Sequence, residues 1–333
     1  MNKFKIVCIT PVKNEEWILD NFLKCTSLWA DKIIIADQNS DDNSIGIAKK
    51  YNKVVLVKNN NPKFNEPERQ KILINNARKI KGKKIIIALD ADEAFTADAV
   101  KSNEWKKLYN LEPGTVIYFK WANILHGCDK YWLALDNMPF GFVDDGSLHK
   151  GSPIHSPRIP LSEKSNKYYS KLIVMHMQYT NIKRMKSKHR WYQCWERLNN
   201  LERSAVDIYR QYHHMDSVPK KMIGIVPNNW FDDYTRKGID FKVKMHNTSN
   251  YWDKLVLDMI NDNGVDAFRK EQIWDFDWIE KAKEYKYRKL DNFKDPRTYY
   301  EKFIHIWLKI TQPYFKNRFV NIVDKLIMKY LKF

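Results

Sequence analysis

Four short runs of apolar, largely β-branched residues punctuate the first ninety positions: FKIVCIT (4–10), KIIIAD (32–37), KVVLVK (53–58) and KIIIAL (84–89). Each is too short for a buried helix and too uniformly apolar for a strand with one wet face, so each reads as a strand covered on both sides. Between them the period changes. Glu15 to Thr26 carries Trp17, Ile18, Phe22 and Leu23 at helical spacing; Ser44 to Tyr51 fits a short helix; Glu68 to Ile80 fits a longer one. Strands alternating with helices predict an α/β chain built on a mostly parallel open sheet flanked by helices, a Rossmann-like arrangement. Such sheets bind ligands beyond the carboxyl ends of their strands. Thr10, Asp37 and Asp90 stand at three of those ends.

The last run delivers Asp90-Ala91-Asp92-Glu93. Carboxylates at the exit of a buried strand repel one another unless a cation or bound group offsets their charge. A hard divalent ion, Mg2+ or Mn2+, suits oxygen donors and bridges them to a diphosphate. A helix cap or solvated turn would also use acids, but neither accounts for the three strand–helix units that precede them.

Charge alone decides less. Lys and Arg number 58 against 40 acids, a net charge of +18, which attracts polyanions: nucleic acid, anionic lipid or phosphorylated small molecules. Cys8, Cys25, Cys128 and Cys194 show no Cys-x-x-Cys spacing, so reduced thiols are expected rather than a zinc site or disulfide framework. No run approaches the roughly 20 apolar residues of a membrane span. MNKFKIVCIT enters a strand without an apolar leader and cleavage site, and a cytoplasmic chain is expected.

Beyond residue 114 the pattern loosens. Thr115 to Ala122 and Lys171 to His176 read as strands, and 136–170 as loops and short strands over the site. Asn181 to Arg203, Trp252 to Ile260 and Trp278 to Lys289 read as helices. A first domain over 1–200 and a mainly helical C-terminal region over 201–333 are expected. The tail, 314–333, places Phe315, Phe319, Ile322, Leu326 and Tyr330 on one helical face, with Arg318, Lys325, Lys329 and Lys332 largely opposite. A basic amphipathic helix of this kind can lie on an anionic membrane, or pack on the protein body or a second subunit.

ITPVKNE (9–15), ADQNSDDNS (36–44), ERQKILINNA (68–77) and IIIALDADEAF (85–95), in that order and spacing, resemble the GT-A glycosyltransferases. The likeness is to family 2 in particular, and to the small bacterial transferases that build lipopolysaccharide cores, capsules and other surface glycans. It covers about a third of the chain. It implies metal-dependent, inverting sugar transfer from a nucleoside-diphosphate sugar, UDP by default, to a glycan or lipid-linked saccharide at the inner face of the cell membrane.

By the same resemblance Thr10, Pro11 and Glu15 cradle the nucleotide, Asp37 meets the base, Asp90 lies near the ribose and Asp92 ligates the metal. His176, after the strand KLIVM, would complete the metal shell. Arg69 and Lys71 are phosphate or ribose candidates, as are Arg184, Lys186, Lys188 and Arg190 for the diphosphate. Inversion requires a base for the acceptor hydroxyl, and Asp144 or Asp145 in GFVDDGS is expected to supply it; His149 and His155 are further acceptor or metal candidates. The turn after the second strand reads Asp37-Gln38-Asn39-Ser40-Asp41-Asp42-Asn43 where the family has glycines, so asparagine is expected at any left-handed position.

Other classes fit less well. A sugar nucleotidyltransferase would carry an early glycine-rich phosphate loop, and ITPVKNEEW has no glycine. A nucleic-acid-binding module would explain +18 but not carboxylates clustered at strand ends, and no nucleic-acid partner is expected. A non-catalytic membrane-bound scaffold is the remaining alternative.

Overall fold

The computed structural model describes residues 4–61, 64–241 and 250–333. Its contacts divide the chain into two compact units, Met1–Thr180 with Gly224–His246, and Asn181–Ile223 with Asn247–Phe333. The chain therefore passes between units three times, rather than once after residue 200.

In the first unit the expected order is observed: β1 (Lys5–Val12), α1 (Glu16–Ser27), β2 (Lys32–Asp37), α2 (Ser44–Ala48), β3 (Val54–Lys58), α3 (Glu66–Arg78) and β4 (Lys84–Ala88). β3, β2, β1 and β4 lie side by side, every pair parallel. Ile33 to Ile35 and Ile85 to Ile87 have no exposed surface, as strands covered on both faces require. One face packs Leu19, Phe22 and Leu23 of α1, and the other Leu73, Ile74 and Ala77 of α3.

The sheet then widens through β5 (Glu93–Phe95), with α4 (Asn103–Lys107), β6 (Val116–Ile124), β7 (Lys130–Leu133), β8 (Met138–Val143) and β9 (Lys167–His176) following. β8 runs antiparallel to both β4 and β6. β5 runs antiparallel to β9, and β9 parallel to β6. The parallel half thus holds strand ends at one edge, and β5 and β9 carry the chain back across that edge.

The chain continues through α5 (Ile182–Asn199) and α6 (Ala205–Tyr212), returns to the sheet with β10 (Ile223–Ile225) and α7 (Asp232–Arg236), and finishes with α8 (Tyr251–Asn263), α9 (Trp278–Glu284), α10 (Tyr299–Thr311) and α11 (Arg318–Leu331). The α/β class with a helical C-terminal extension is therefore the one observed. α9 stops at Glu284, short of the expected Lys289, because Lys286 turns left-handed at φ 60° and ends the helix.

In the second unit, Arg210 of α6 is buried and donates to both carboxylate oxygens of Asp324 on α11, at 2.9 and 3.0 Å, and to the Leu308 carbonyl of α10 at 2.9 Å. One guanidinium with these acceptors ties three helices together.

All four cysteines are buried and unpaired with one another. Among the described residues no helix is long and apolar enough to cross a membrane.

Candidate active site

The carboxyl edge of β1 and β2 is organised by the polar turn 38–43. Asn39 is left-handed at φ 52°, as is Asn14 at φ 55°, both positions that asparagine tolerates better than most residues. Asp37 accepts from the Ser40 hydroxyl at 2.6 Å and the Ser40 amide at 3.2 Å. The turn then caps α1: Ser40 Oγ accepts from the Asn14 amide, Ser44 Oγ from Glu15, and Asp42 Oδ2 from Glu16, at 2.9–3.0 Å. These amides, otherwise an anion site at a helix start, are occupied by side chains. Thr10 is fully buried, its hydroxyl 3.4 Å from the Pro11 carbonyl.

At the end of β4 the chain turns through Asp90, Ala91 and Asp92 into β5. The β5–β9 register sets Glu93 opposite His176, and the Met177 amide donates to the Asp92 carbonyl at 2.7 Å. His176 Nε2 consequently lies 3.6 Å from Asp92 Oδ2. The two expected metal-site side chains, 84 positions apart, are brought together by strand pairing.

Register also supplies what orients them. β6 pairs with β9 so that Asn123 sits beside His176, and Asn123 Oδ1 lies 2.8 Å from His176 Nδ1. Trp121, two residues earlier and so on the same strand face, stacks on the imidazole at 4.6 Å between centroids. The Asn123 oxygen can only accept, so Nδ1 carries a hydrogen, and Nε2 is the ring nitrogen turned toward Asp92.

Glu93 is fully buried. Its carboxylate accepts from Trp121 Nε1 at 2.9 Å, from the Asp90 amide at 2.9 Å, and from Arg158. Arg158 also reaches Asp90 Oδ2 at 2.7 Å and covers the Phe140 ring at 4.1 Å. Burial raises the Glu93 carboxyl above its ordinary range, and Arg158 opposes that shift. For Arg158 burial pulls the other way, but Asp90 and Glu93 outweigh it and hold the guanidinium charged. This cation lies in the loop after β8, and nothing local in the sequence marks it as the partner of acids 65 to 68 residues earlier.

The same loop docks on the start of α3: Ser156 donates its amide to Glu66 Oε2 at 2.7 Å, and Glu66 donates its own to the Pro153 carbonyl at 3.1 Å. Arg69, one turn into α3, is half-buried with a guanidinium nitrogen 3.8 Å from Glu66, while Lys71 is exposed. His149 is buried with Nε2 2.7 Å from the Pro157 carbonyl, and burial lowers its pKa; His155 is exposed.

Asp144 and Asp145 require correction. Because β8 runs antiparallel to β4, they emerge beside Lys84, where β4 begins. Six residues of extended chain separate that point from Asp90, about 20 Å at the usual rise. Asp144 instead accepts from Arg78 Nε at 2.9 Å, and Asp145 accepts from the Ser147 amide at 2.9 Å. Neither is placed to act as base for chemistry at Asp90 and Asp92. In the second unit, Arg184 stacks on Trp252 at 4.4 Å, Arg190 on Phe276 at 3.9 Å with Asp253 at 2.7 Å, and Lys186 is exposed. Arg184 and Arg190 thus both stack on aromatic rings of the second unit.

Could the acidic edge hold a divalent ion? Among the described residues no three His, Cys, Asp or Glu side chains converge as a self-sufficient metal cage. Asp92 and His176 offer two donors, with Asn123 holding the imidazole through Nδ1. Such a pair fits a hard or borderline cation that takes its remaining ligands from a diphosphate and water.

No family model and no curated protein matches the chain. Solved structures with some likeness include glucosyl-3-phosphoglycerate synthase from Mycobacterium tuberculosis in complex with Mn2+, UDP and phosphoglyceric acid. That match has 16% identity over 36% of this chain and 44% of that chain, with a TM-score of 0.27. Another is 4-diphosphocytidyl-2C-methyl-D-erythritol synthase, with 13% identity over 43% and 75% and a TM-score of 0.29. A third is inositol-1-phosphate CTP transferase from T. maritima, with 8% identity over 53% and 90% and a TM-score of 0.32. The chain spans less than half the length of the first of these. At TM-scores this low a likeness carries no inference about activity, so the reading of the site rests on this chain's own geometry.

Proposed function

We propose that the chain is a GT-A glycosyltransferase of the family 2 type, moving a sugar from a nucleoside-diphosphate sugar, UDP by default, to a surface-glycan or lipid-linked saccharide acceptor with inversion. The observation that carries the reading is the Asp92–His176 pair at the carboxyl edge of a parallel sheet, with Asp90 beside it. A divalent ion held there, Mn2+ better than Mg2+ because one donor is imidazole, would neutralise the departing diphosphate.

In this proposal the chain's residues divide the work. Pro11, Glu15 and the free lone pairs of Asp37 meet the nucleoside, since a carboxylate accepting two hydrogen bonds retains capacity for more. Asp90 takes the ribose, and Arg69 and Lys71 approach from the start of α3. Glu93 and Arg158 hold the acidic turn in place. A lipid-linked acceptor would set the enzyme at the cytoplasmic face of the membrane.

A nucleotidyltransferase needs backbone donors for a triphosphate after β1. Here the amides of Asn14, Glu15 and Glu16 are already bonded to Ser40, Ser44 and Asp42, which argues for transfer over sugar activation.

Calorimetric titration with UDP, GDP, CDP and ADP, with and without Mn2+, tests the reading on wild type and Asp92→Ala. Binding of one diphosphate that requires Mn2+ and is lost in Asp92→Ala is expected. Equal affinity in the two proteins would remove Asp92 from the site, and binding of single-stranded RNA with steep salt dependence in place of any nucleotide would replace the proposal.

A further inference from the structure

α11 has two apolar faces, and only one is used. Val320, Asp324 and Ile327 face inward, whereas Phe319, Ile322, Leu326 and Tyr330 are exposed. α10 repeats the arrangement: Ile304, His305 and Leu308 face inward, and Tyr299, Phe303, Ile306 and Ile310 face solvent. At the helical angle per residue, the four exposed positions of α10 fall within a stripe about 60° wide, and those of α11 within about 80°. Trp307 and Phe319 meet edge to face at 6.4 Å, which joins the two helices on this side. Phe303 is 70% exposed and Ile310 67%. Eight large apolar side chains left in water on adjoining helices exceed the scattered exposure usual for a soluble surface.

The charges around them are of one sign. Lys302, Lys309, Lys316, Arg318, Lys325 and Lys329 are all exposed on this segment. Its only acids, Glu301 and Asp324, are buried against Arg269 and Arg210. On both helices the cations fall on one flank of the apolar stripe, where they can stay at headgroup level while the stripe enters the acyl boundary.

We infer that α10 and α11 together form an interfacial surface that docks on an anionic lipid membrane. Charge complementarity chooses this occupant. A second copy of the chain meeting this face would bring two surfaces of the same positive sign together without neutralising either, and a nucleic acid would leave the apolar stripe in water. The surface is wider than the tail helix alone, since half of its apolar residues come from α10. It belongs to the second unit and shares no residue with the nucleotide site, so vesicle binding and nucleotide binding are measured separately.

Cosedimentation of the full chain with vesicles of phosphatidylglycerol and phosphatidylcholine in equal parts, against phosphatidylcholine alone, tests it. The anionic vesicles should bind wild type and the neutral ones much less. Phe303→Ser with Ile310→Ser should weaken binding by roughly tenfold or more, and Lys309→Gln with Lys325→Gln by about tenfold or more. All four positions are exposed, so the variants should melt as wild type does. Three results would overturn the inference: no binding to anionic vesicles, undiminished binding by the serine pair, or a wild-type dimer in sedimentation velocity that the serine pair dissociates.

Discussion

His176 Nε2 points at Asp92 Oδ2 from 3.6 Å, while its Nδ1 is held 2.8 Å from the carboxamide of Asn123. The gap to Asp92 is too long for a hydrogen bond. In the proposed reading a divalent cation would take Asp92 Oδ2 and His176 Nε2 as two of its ligands.

If Asn123 sets the tautomer of a ligand, removing it should weaken metal binding without touching the metal. Asn123→Ala should lose 10- to 100-fold in Mn2+ affinity, in line with outer-shell partners of ligating histidines. Asn123→Asp, which can still accept from Nδ1, should restore most of it. Titration of Mn2+ followed by electron paramagnetic resonance reads both. Equal loss in the two variants would reduce Asn123 to packing.

The Arg158–Glu93 pair should matter to stability before it matters to turnover. Glu93 is fully buried, so deleting its cation leaves a buried carboxylate with the neutral N–H donors of Trp121 and Asp90. Arg158→Met is expected to lose about 3 kcal/mol or more in denaturant unfolding. Glu93→Gln in the same chain should recover much of the loss, because the stranded charge is gone. A double-mutant cycle gives the coupling.

What was legible in the sequence follows from which information is local. The strands β1 to β4 announce themselves by continuous Ile and Val, and Asp90 and Asp92 by standing where one of them ends. Asp144 misled because composition shows that a strand precedes it but not which way that strand runs; antiparallel pairing with β4 sends it to the wrong edge. Arg158, Trp121 and Asn123 reach the site through register and a long loop, and no local pattern carries that. For the tail, periodicity found the Phe319–Ile322–Leu326–Tyr330 face but could not show that Val320 and Ile327 would do the packing.

Asp144 gives the sharpest contrast between the two placements. Asp144→Asn should leave sugar transfer within about twofold of wild type, since the side chain lies some 20 Å along β4 from the acids. It should cost about 1 kcal/mol of stability through the weakened Arg78 contact. A large fall in kcat with unchanged stability would return the residue to the reacting centre.

The final expectation concerns pH and uses His305, buried between α10 and its surroundings. Its Nε2 lies 3.0 Å from the Lys270 carbonyl and its Nδ1 3.1 Å from Arg297. Burial first, and Arg297 after it, lower its pKa from 6.5 to about 4, the Lys270 carbonyl working against them. The unfolded chain therefore takes up a proton below about pH 6.5 that the folded chain refuses, and stability falls as pH drops from there to about 4. The contribution is of order 3 kcal/mol across the window. Glu271 acts in the opposite sense: burial raises its carboxyl to about 7 against the pull of Arg197, so its share of stability falls as pH rises from about 4.5 to 7. Glu271 and other shifted groups, His149 and Glu93 among them, also shape the wild-type curve, but the difference between wild type and His305→Gln removes the parts the two proteins share. Urea unfolding of both proteins at pH 7, 5.5 and 4 should show wild type losing its advantage progressively toward pH 4. A difference that stays flat across that range would mean that His305 is protonated in the folded state as readily as in the unfolded one.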